Sequence, residues 1–92
     1  MKFEWDPEKA VDNLKKHGVS FEDATTIFTD PFAHEYLDDR HTEPRFQRIG
    51  LAESGVLYVV YAVRGYNDDI YRLISARKAT ANETRIYFEL KQ

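Results

Sequence analysis

Arg45, Arg48, Arg64, Arg72, Arg77 and Lys78 are the residues whose types and spacing could do chemistry in this sequence. A guanidinium presents a planar fork of donors that suits bidentate contact with phosphate. Arg64 closes the run Leu57-Tyr58-Val59-Val60-Tyr61-Ala62-Val63, and Arg72 lies in the strand-like segment that follows. Side chains two apart on a strand share a face. If Leu57, Val59, Tyr61 and Val63 face a core, then Tyr58, Val60, Ala62 and Arg64 line the other side, and Arg72 can join them. Aromatic rings and arginines on one surface are what single-stranded RNA binding uses. The same pattern also describes arginines that only solvate an exposed strand face. Arg77-Lys78 stands just before a helix start at Thr80, where unpaired backbone N–H groups favour an anion. Cations at that end do not complement the helix dipole, which makes the pair the more informative signal, although solvated surface residues are the alternative reading.

The remaining candidates are weaker. Lys15-Lys16-His17-Gly18 reads as ordinary capping of a helix C-terminus, although an imidazole makes His17 a candidate general acid or base. His34, Asp38, Asp39 and His41 have no standard metal-ligand spacing and read as a polar loop. No P-loop, dinucleotide fingerprint, HExxH or Gly-x-Ser-x-Gly motif is present, and there is no cysteine. Neither a metal nor a cofactor is expected.

Ninety-two residues are enough for one domain, here 1–92, with a compact core built from six Phe, six Tyr and Trp5. The net charge is −3, but it is unevenly spread. Up to Pro44 five cations face eleven acids; from Arg45 onward eight cations face five acids. An acidic total therefore hides a basic second half. No apolar run is long enough for a bilayer helix, and the acidic start is unlike a signal peptide, so a cytoplasmic protein without membrane contact is expected.

The elements that must position these residues are legible in outline. Lys2 to Trp5 alternates as a short strand. Asp6-Pro7 opens a helix to about Lys16, with Ala10, Val11 and Leu14 as its apolar stripe and Gly18 as its stop. Ser20 caps a second helix whose Phe21, Ala24, Ile27 and Phe28 share a face, ended by Asp30-Pro31. A weak edge strand is expected over His34 to Leu37. Three strands follow over Arg45 to Leu51, Val56 to Val63 and Ile70 to Ala76, joined as antiparallel hairpins. Thr80-Ala81-Asn82-Glu83 is a capping box for a last helix to about Leu90.

Phe3-Glu4-Trp5-Asp6, Lys9-Ala10, Asn13-Leu14, Lys16-His17-Gly18-Val19-Ser20-Phe21 and Phe28 to Pro31 resemble the opening of the BrnT toxin family. Glu43 with Arg45-Phe46, Gly50 and Val59 to Arg64 resemble its middle, and Ile74 to Ala79 with Glu83 and Tyr87 its close. The resemblance implies an α+β, RelE-like fold: a small, twisted, mostly antiparallel sheet with two N-terminal helices on one face and a C-terminal helix. It implies a metal-independent endoribonuclease that cleaves RNA by transesterification and arrests translation as the toxin of a type II toxin–antitoxin module. It also implies a BrnA-type ribbon-helix-helix antitoxin in a heterotetramer, with operator DNA contacted only through that complex. In such an enzyme Arg64 and Arg77 would bind the scissile phosphate and stabilise its transition state, while Arg45 and Lys78 would position phosphates. Arg48 and Arg72 would bind RNA, and His17 would transfer the proton, with Glu43 its competitor. A non-catalytic protein-binding module on the same sheet surface is the alternative.

Overall fold

In the computed structural model, which describes residues 1–91, the chain runs strand, two helices, four strands, helix. The elements are β1 (Lys2–Glu4), α1 (Pro7–His17), α2 (Phe21–Thr25), a 3-10 segment (Thr26–Thr29), β2 (His34–Asp38), β3 (Arg45–Ala52), β4 (Gly55–Arg64), β5 (Ile70–Lys78) and α3 (Ala81–Lys91). One five-stranded sheet is ordered β1-β5-β4-β3-β2. Only the β1–β5 pair is parallel; the other three pairs are antiparallel.

The local signals act as chemistry requires. The Asp6 carboxylate accepts from the Glu8 N–H at 2.9 Å, and Gly18 closes α1 in the left-handed region at φ 70°. The expected second helix is divided. Its first turn is capped by Ser20, which accepts from the Asp23 N–H at 3.0 Å, but the helix tightens after Thr25. Thr25, Thr26 and Thr29 each donate to the carbonyl three residues back, at 2.6–2.9 Å, and these bonds compete with the α-helical ladder. Gly50 lets this segment lie against β3: a Cβ there would sit 2.9 Å from Ile27 Cβ and 3.1 Å from Ala33 Cβ.

The helical face of the sheet holds the main core. Phe21, Ala24, Ile27 and Phe28 pack on Leu57, Val59, Tyr61, Leu73 and Ala76. Phe28 is at the centre of the rings, 5.0 Å from Phe3, 4.9 Å from Tyr61 and 5.5 Å from Tyr71 between centroids. On the opposite face α3 covers one end only, where Tyr87 packs with Ile49 and Val56, and Tyr58 and Ala79 border them.

The apolar stripe expected on α1 is not buried. Val11 and Leu14 are 52% and 51% exposed, Ala10 alone touches the core, and the buried residue of the helix is Asn13. The reason is the sheet edge. β1 pairs with β5 only as far as Arg72, so the rest of β5 would present free backbone groups. The Asn13 amide takes the place of a strand there. Its Nδ2 donates to Ala76 O at 2.8 Å, and Ala76 N–H donates to its Oδ1 at 3.0 Å. Nδ2 also donates to Val19 O at 2.9 Å, fixing the turn after the helix.

The other side has a matching device. Beyond His34, which pairs with Ile49, the β3 edge passes to Asp30: Leu51 N–H donates to its Oδ2 at 2.8 Å. The same oxygen accepts from Tyr87 Oη, which ties α3 to the sheet. These bonds hold Asp30 below its ordinary value even though burial acts in the opposite direction.

Asn13→Ala leaves three backbone partners unmatched in a buried setting, at a cost of about 3 kcal/mol. The thermal midpoint should therefore fall by on the order of 15 °C. Asn13→Asp should be at least as harmful, because a carboxylate cannot donate to the two carbonyls. A melting curve within a few degrees of the parent for either variant would remove the edge role given to Asn13.

A second expectation concerns alkali. Burial, then the hydrogen bond to Asp30, pushes Tyr87 up to about 12; burial, then Glu35, pushes Tyr61 higher still. Unfolded tyrosine ionises near pH 10, so the folded chain holds its phenol protons where the unfolded chain has lost them. Their contribution to stability is complete below pH 10 and is lost as pH rises through 12. Thermal midpoints should fall steeply over that window, with a late step of phenolate absorbance coinciding with unfolding. A single native-state step for all tyrosines near pH 10 would contradict it.

Candidate active site

Cross-strand pairing fixes which arginines share a surface. On the face opposite the main core, β4 presents Tyr58, Val60, Ala62 and Arg64, as alternation requires. Ala62 pairs with Arg72 and Tyr58 with Arg77. Arg45 pairs with Asp38, in step with Gln47 and Ile49 on the same side. Arg45, Arg64, Arg72 and Arg77 thus lie on one face.

Arg72 and Arg77 are five residues apart and in a regular strand would point to opposite sides. A bulge in β5 reconciles them. Val60 pairs with Ser75 and Tyr61 with Leu73, so Ile74 has no partner on β4 and the alternation slips by one. Leu73 and Ala76 both reach the core, and Arg72 and Arg77 both reach the other face. Ala62, paired with Arg72, is fully buried on this nominally open side.

Each of these arginines but one is already held by an acid. Arg77 grips Glu83 with two bonds of 2.8 and 3.1 Å, and its guanidinium lies 3.9 Å above the Tyr58 ring. The bond to Glu83 holds Arg77 above its ordinary value and Glu83 below its own. Burial pushes the Tyr58 hydroxyl up. Arg72 donates to Glu4 at 2.7 Å, and Arg64 to Glu43 at 3.0 Å. Arg45 has no ion pair among the described residues.

Three of the sequence candidates lie elsewhere. Arg48 faces the main core, with its guanidinium 5.2 Å over the Phe28 ring and 2.8 Å from Glu35. Glu35 also accepts from the buried Tyr61 hydroxyl, so Arg48 neutralises an acid set among aromatic rings. Lys78 pairs with Leu57 and therefore alternates away from Arg77. His17 borders a shallow pocket of about 190 Å³ with Lys16, Ile74 and Ser75, along the outer edge of β5. The structure thus brings Glu43 to Arg64 and leaves His17 apart from both. Among the described residues no cluster of three or more His, Asp or Glu could hold a metal ion, and no helix is long and apolar enough to cross a membrane.

Sequence reasoning missed the tie between Glu83 and Arg77. The capping box was visible, and Glu83 does accept from Thr80 N–H at 2.9 Å. The same carboxylate turns back to the strand as well, a contact that depends on how β5 meets α3.

A family model described as "Ribonuclease toxin, BrnT, of type II toxin-antitoxin system" matches residues 5–83. The chain belongs to the BrnT family. Among solved structures it resembles the 1.1 Å crystal structure of the Brucella abortus ribonuclease toxin BrnT, at 26% identity and a TM-score of 0.66. The match covers 87% of this chain and 97% of that one. No curated protein matches. As a member of a family of type II ribonuclease toxins, this BrnT chain has an antitoxin as its partner class. Its α+β, mostly antiparallel fold agrees with the one implied by the sequence.

The two faces give a contrast that can be measured in this BrnT chain. Arg48→Ala removes the cation from a half-buried network and should lower stability by roughly 1–2 kcal/mol. Arg45→Ala, on the other face and without an acid partner, should stay within about 0.5 kcal/mol of the parent. Denaturant midpoints decide; equal midpoints would mean that Arg48 is not structural.

Proposed function

We propose that the chain, acting as one domain, is a metal-independent endoribonuclease toxin that cleaves RNA on the sheet face opposite α1 and α2. The observation that carries this reading is that Arg45, Arg64, Arg72 and Arg77 share that face, the β5 bulge setting Arg72 and Arg77 on the same side, with Arg45 and Arg72 on the Arg64 end and Arg77 at the Tyr58 end. The reaction is intramolecular transesterification. A base takes the proton of a 2′-OH, the 2′ oxygen attacks the adjacent phosphorus, and the bond to the 5′ oxygen breaks as an acid returns a proton to it. A 2′,3′-cyclic phosphate and a free 5′-OH result. Negative charge grows on the non-bridging oxygens, where guanidinium forks stabilise it most.

Arg64 is the transition-state cation in this reading and Arg45 and Arg72 guide the strand beside it, while Arg77, opposite Tyr58 and six β4 residues from Arg64, takes a phosphate further along the RNA rather than the scissile one. Glu43, 3.0 Å from Arg64, is the group best placed to exchange the proton; His17, on the β5 edge, is not. Arg48 acts on the fold and Lys78 on the margin of the surface. The antitoxin is a BrnA-type ribbon-helix-helix protein. It silences the toxin by covering this face in an assembly of two toxins and two antitoxins, which alone contacts operator DNA. The site of action is the cytoplasm.

Cleavage of RNA by the purified chain should persist in excess EDTA. Arg64→Ala should slow it by on the order of a hundredfold or more, and Arg77→Ala should slow it at limiting RNA through weaker binding, both leaving the circular dichroism spectrum unchanged. Arg64→Lys should recover only part of the rate, since it keeps charge without the fork. Folded Ala variants that cut at the parental rate, or activity that needs a divalent ion, would overturn this mechanism.

A further inference from the structure

Beside Arg77 the open face carries a slot. Two cross-strand rows lie next to each other there: His34–Ile49–Tyr58–Arg77, and Tyr36–Gln47–Val60 one step along. Where α3 crosses, Glu83, Ile86 and Tyr87 close the far side, leaving a cleft of about 280 Å³. That is just under the roughly 300–1,000 Å³ of sites for drug-sized molecules, and it suits one flat ring system better than a peptide segment.

The lining is that of a base site. Tyr36 and Tyr58 rise from β2 and β4 on either side of β3, with Ile49 between them, which gives apolar and aromatic walls. Polar recognition falls to few groups. Glu83 is committed to Arg77 and Thr80. Among the described residues Gln47 makes only a long 3.4 Å side-chain bond, from Nε2 to Asp38, so its amide can offer a donor and an acceptor to an incoming edge. His34 Nε2 is buried with no partner among the described residues. An amide of this kind pairs with the N6 and N7 of adenine. The first row ends in Arg77, so a base in the slot would have its backbone phosphate next to that guanidinium.

We propose that this cleft binds an unstacked purine, adenine by preference through Gln47, adjoining the phosphate held by Arg77. The proposal rests on the nuclease reading for its place in a reaction, but the binding it describes can be measured without cleavage. The probes are single-stranded 2′-deoxy oligonucleotides, all adenine or all uracil, which lack the attacking hydroxyl. Fluorescence anisotropy should show the adenine strand bound about tenfold more tightly, the lower end of what one bidentate base contact discriminates. Gln47→Leu should bring the ratio to within about twofold. Ile86→Trp, which fills the cleft from α3, should do the same by a different route, with folding of both variants checked by thermal midpoint. Arg64→Ala should keep the preference.

Equal binding of the two strands by the parent chain, or a preference that survives in both folded variants, overturns the proposal. So does a result in which Ile86→Trp weakens only antitoxin binding, which would make the cleft a protein-docking site. If the parent prefers adenine as described yet never cuts RNA, the slot stands and the nuclease reading is what fails.

Discussion

A sheet whose outer strands are shorter than its inner ones must find other partners for the exposed backbone, and this requirement organises the molecule. Three residues of β1 cannot cover nine residues of β5, and β2 stops short of the end of β3. Both gaps are filled by one side chain whose polar atoms match a peptide edge. Asn13 acts as donor and acceptor toward Ala76, while Asp30 accepts from Leu51. An unpaired edge would be both costly and open to pairing with another chain. Each device also carries a helix. Asn13 fixes α1 along the sheet, and Asp30, through Tyr87, fixes α3. Apolar contact contributes little on α1, which explains why a helix with two half-exposed apolar residues on its surface still has one defined position.

Within that frame the two faces handle arginine differently. Arg48 is drawn into the aromatic core because Glu35 and the Tyr61 hydroxyl are there, and a carboxylate next to buried rings needs a counter-charge. On the other face Arg64, Arg72 and Arg77 each rest on an acid in water-accessible positions, where such pairs contribute little to stability. Those acids keep the surface close to neutral. In the nuclease reading, phosphate binding is thus an exchange of partners at preset guanidinium groups, and only Arg45 starts unpaired among the described residues. An acidic protein and an RNA-binding face are compatible on these terms.

The β5 bulge connects the edge to the site. The extra residue, Ile74, lies between the segment paired with β1 and the segment held by Asn13. One strand therefore serves two registers: before the bulge it carries Arg72, and after it Arg77, both on the same surface. Removing the slip would send one of these arginines toward the core and Leu73 or Ala76 toward water.

Much of this was determined by the sequence alone. Caps at Asp6, Ser20 and Thr80, the stop at Gly18, and the alternation from Val56 to Arg64 are set by interactions within a few residues, so the elements and their order were legible, as was the open face of β4. The family blocks were equally plain. What spans the chain was not. Asn13 reads as one polar residue on a helix until Ala76, sixty-three positions away, gives it a role. Glu83 reads as a cap, and Arg48 as one more surface cation. The joint placement of Arg72 and Arg77 contradicts strict alternation. Local rules assign a side chain to a face by counting residues, but only the tertiary structure decides where the count slips, because a bulge is set by what the neighbouring strand and helix need to satisfy.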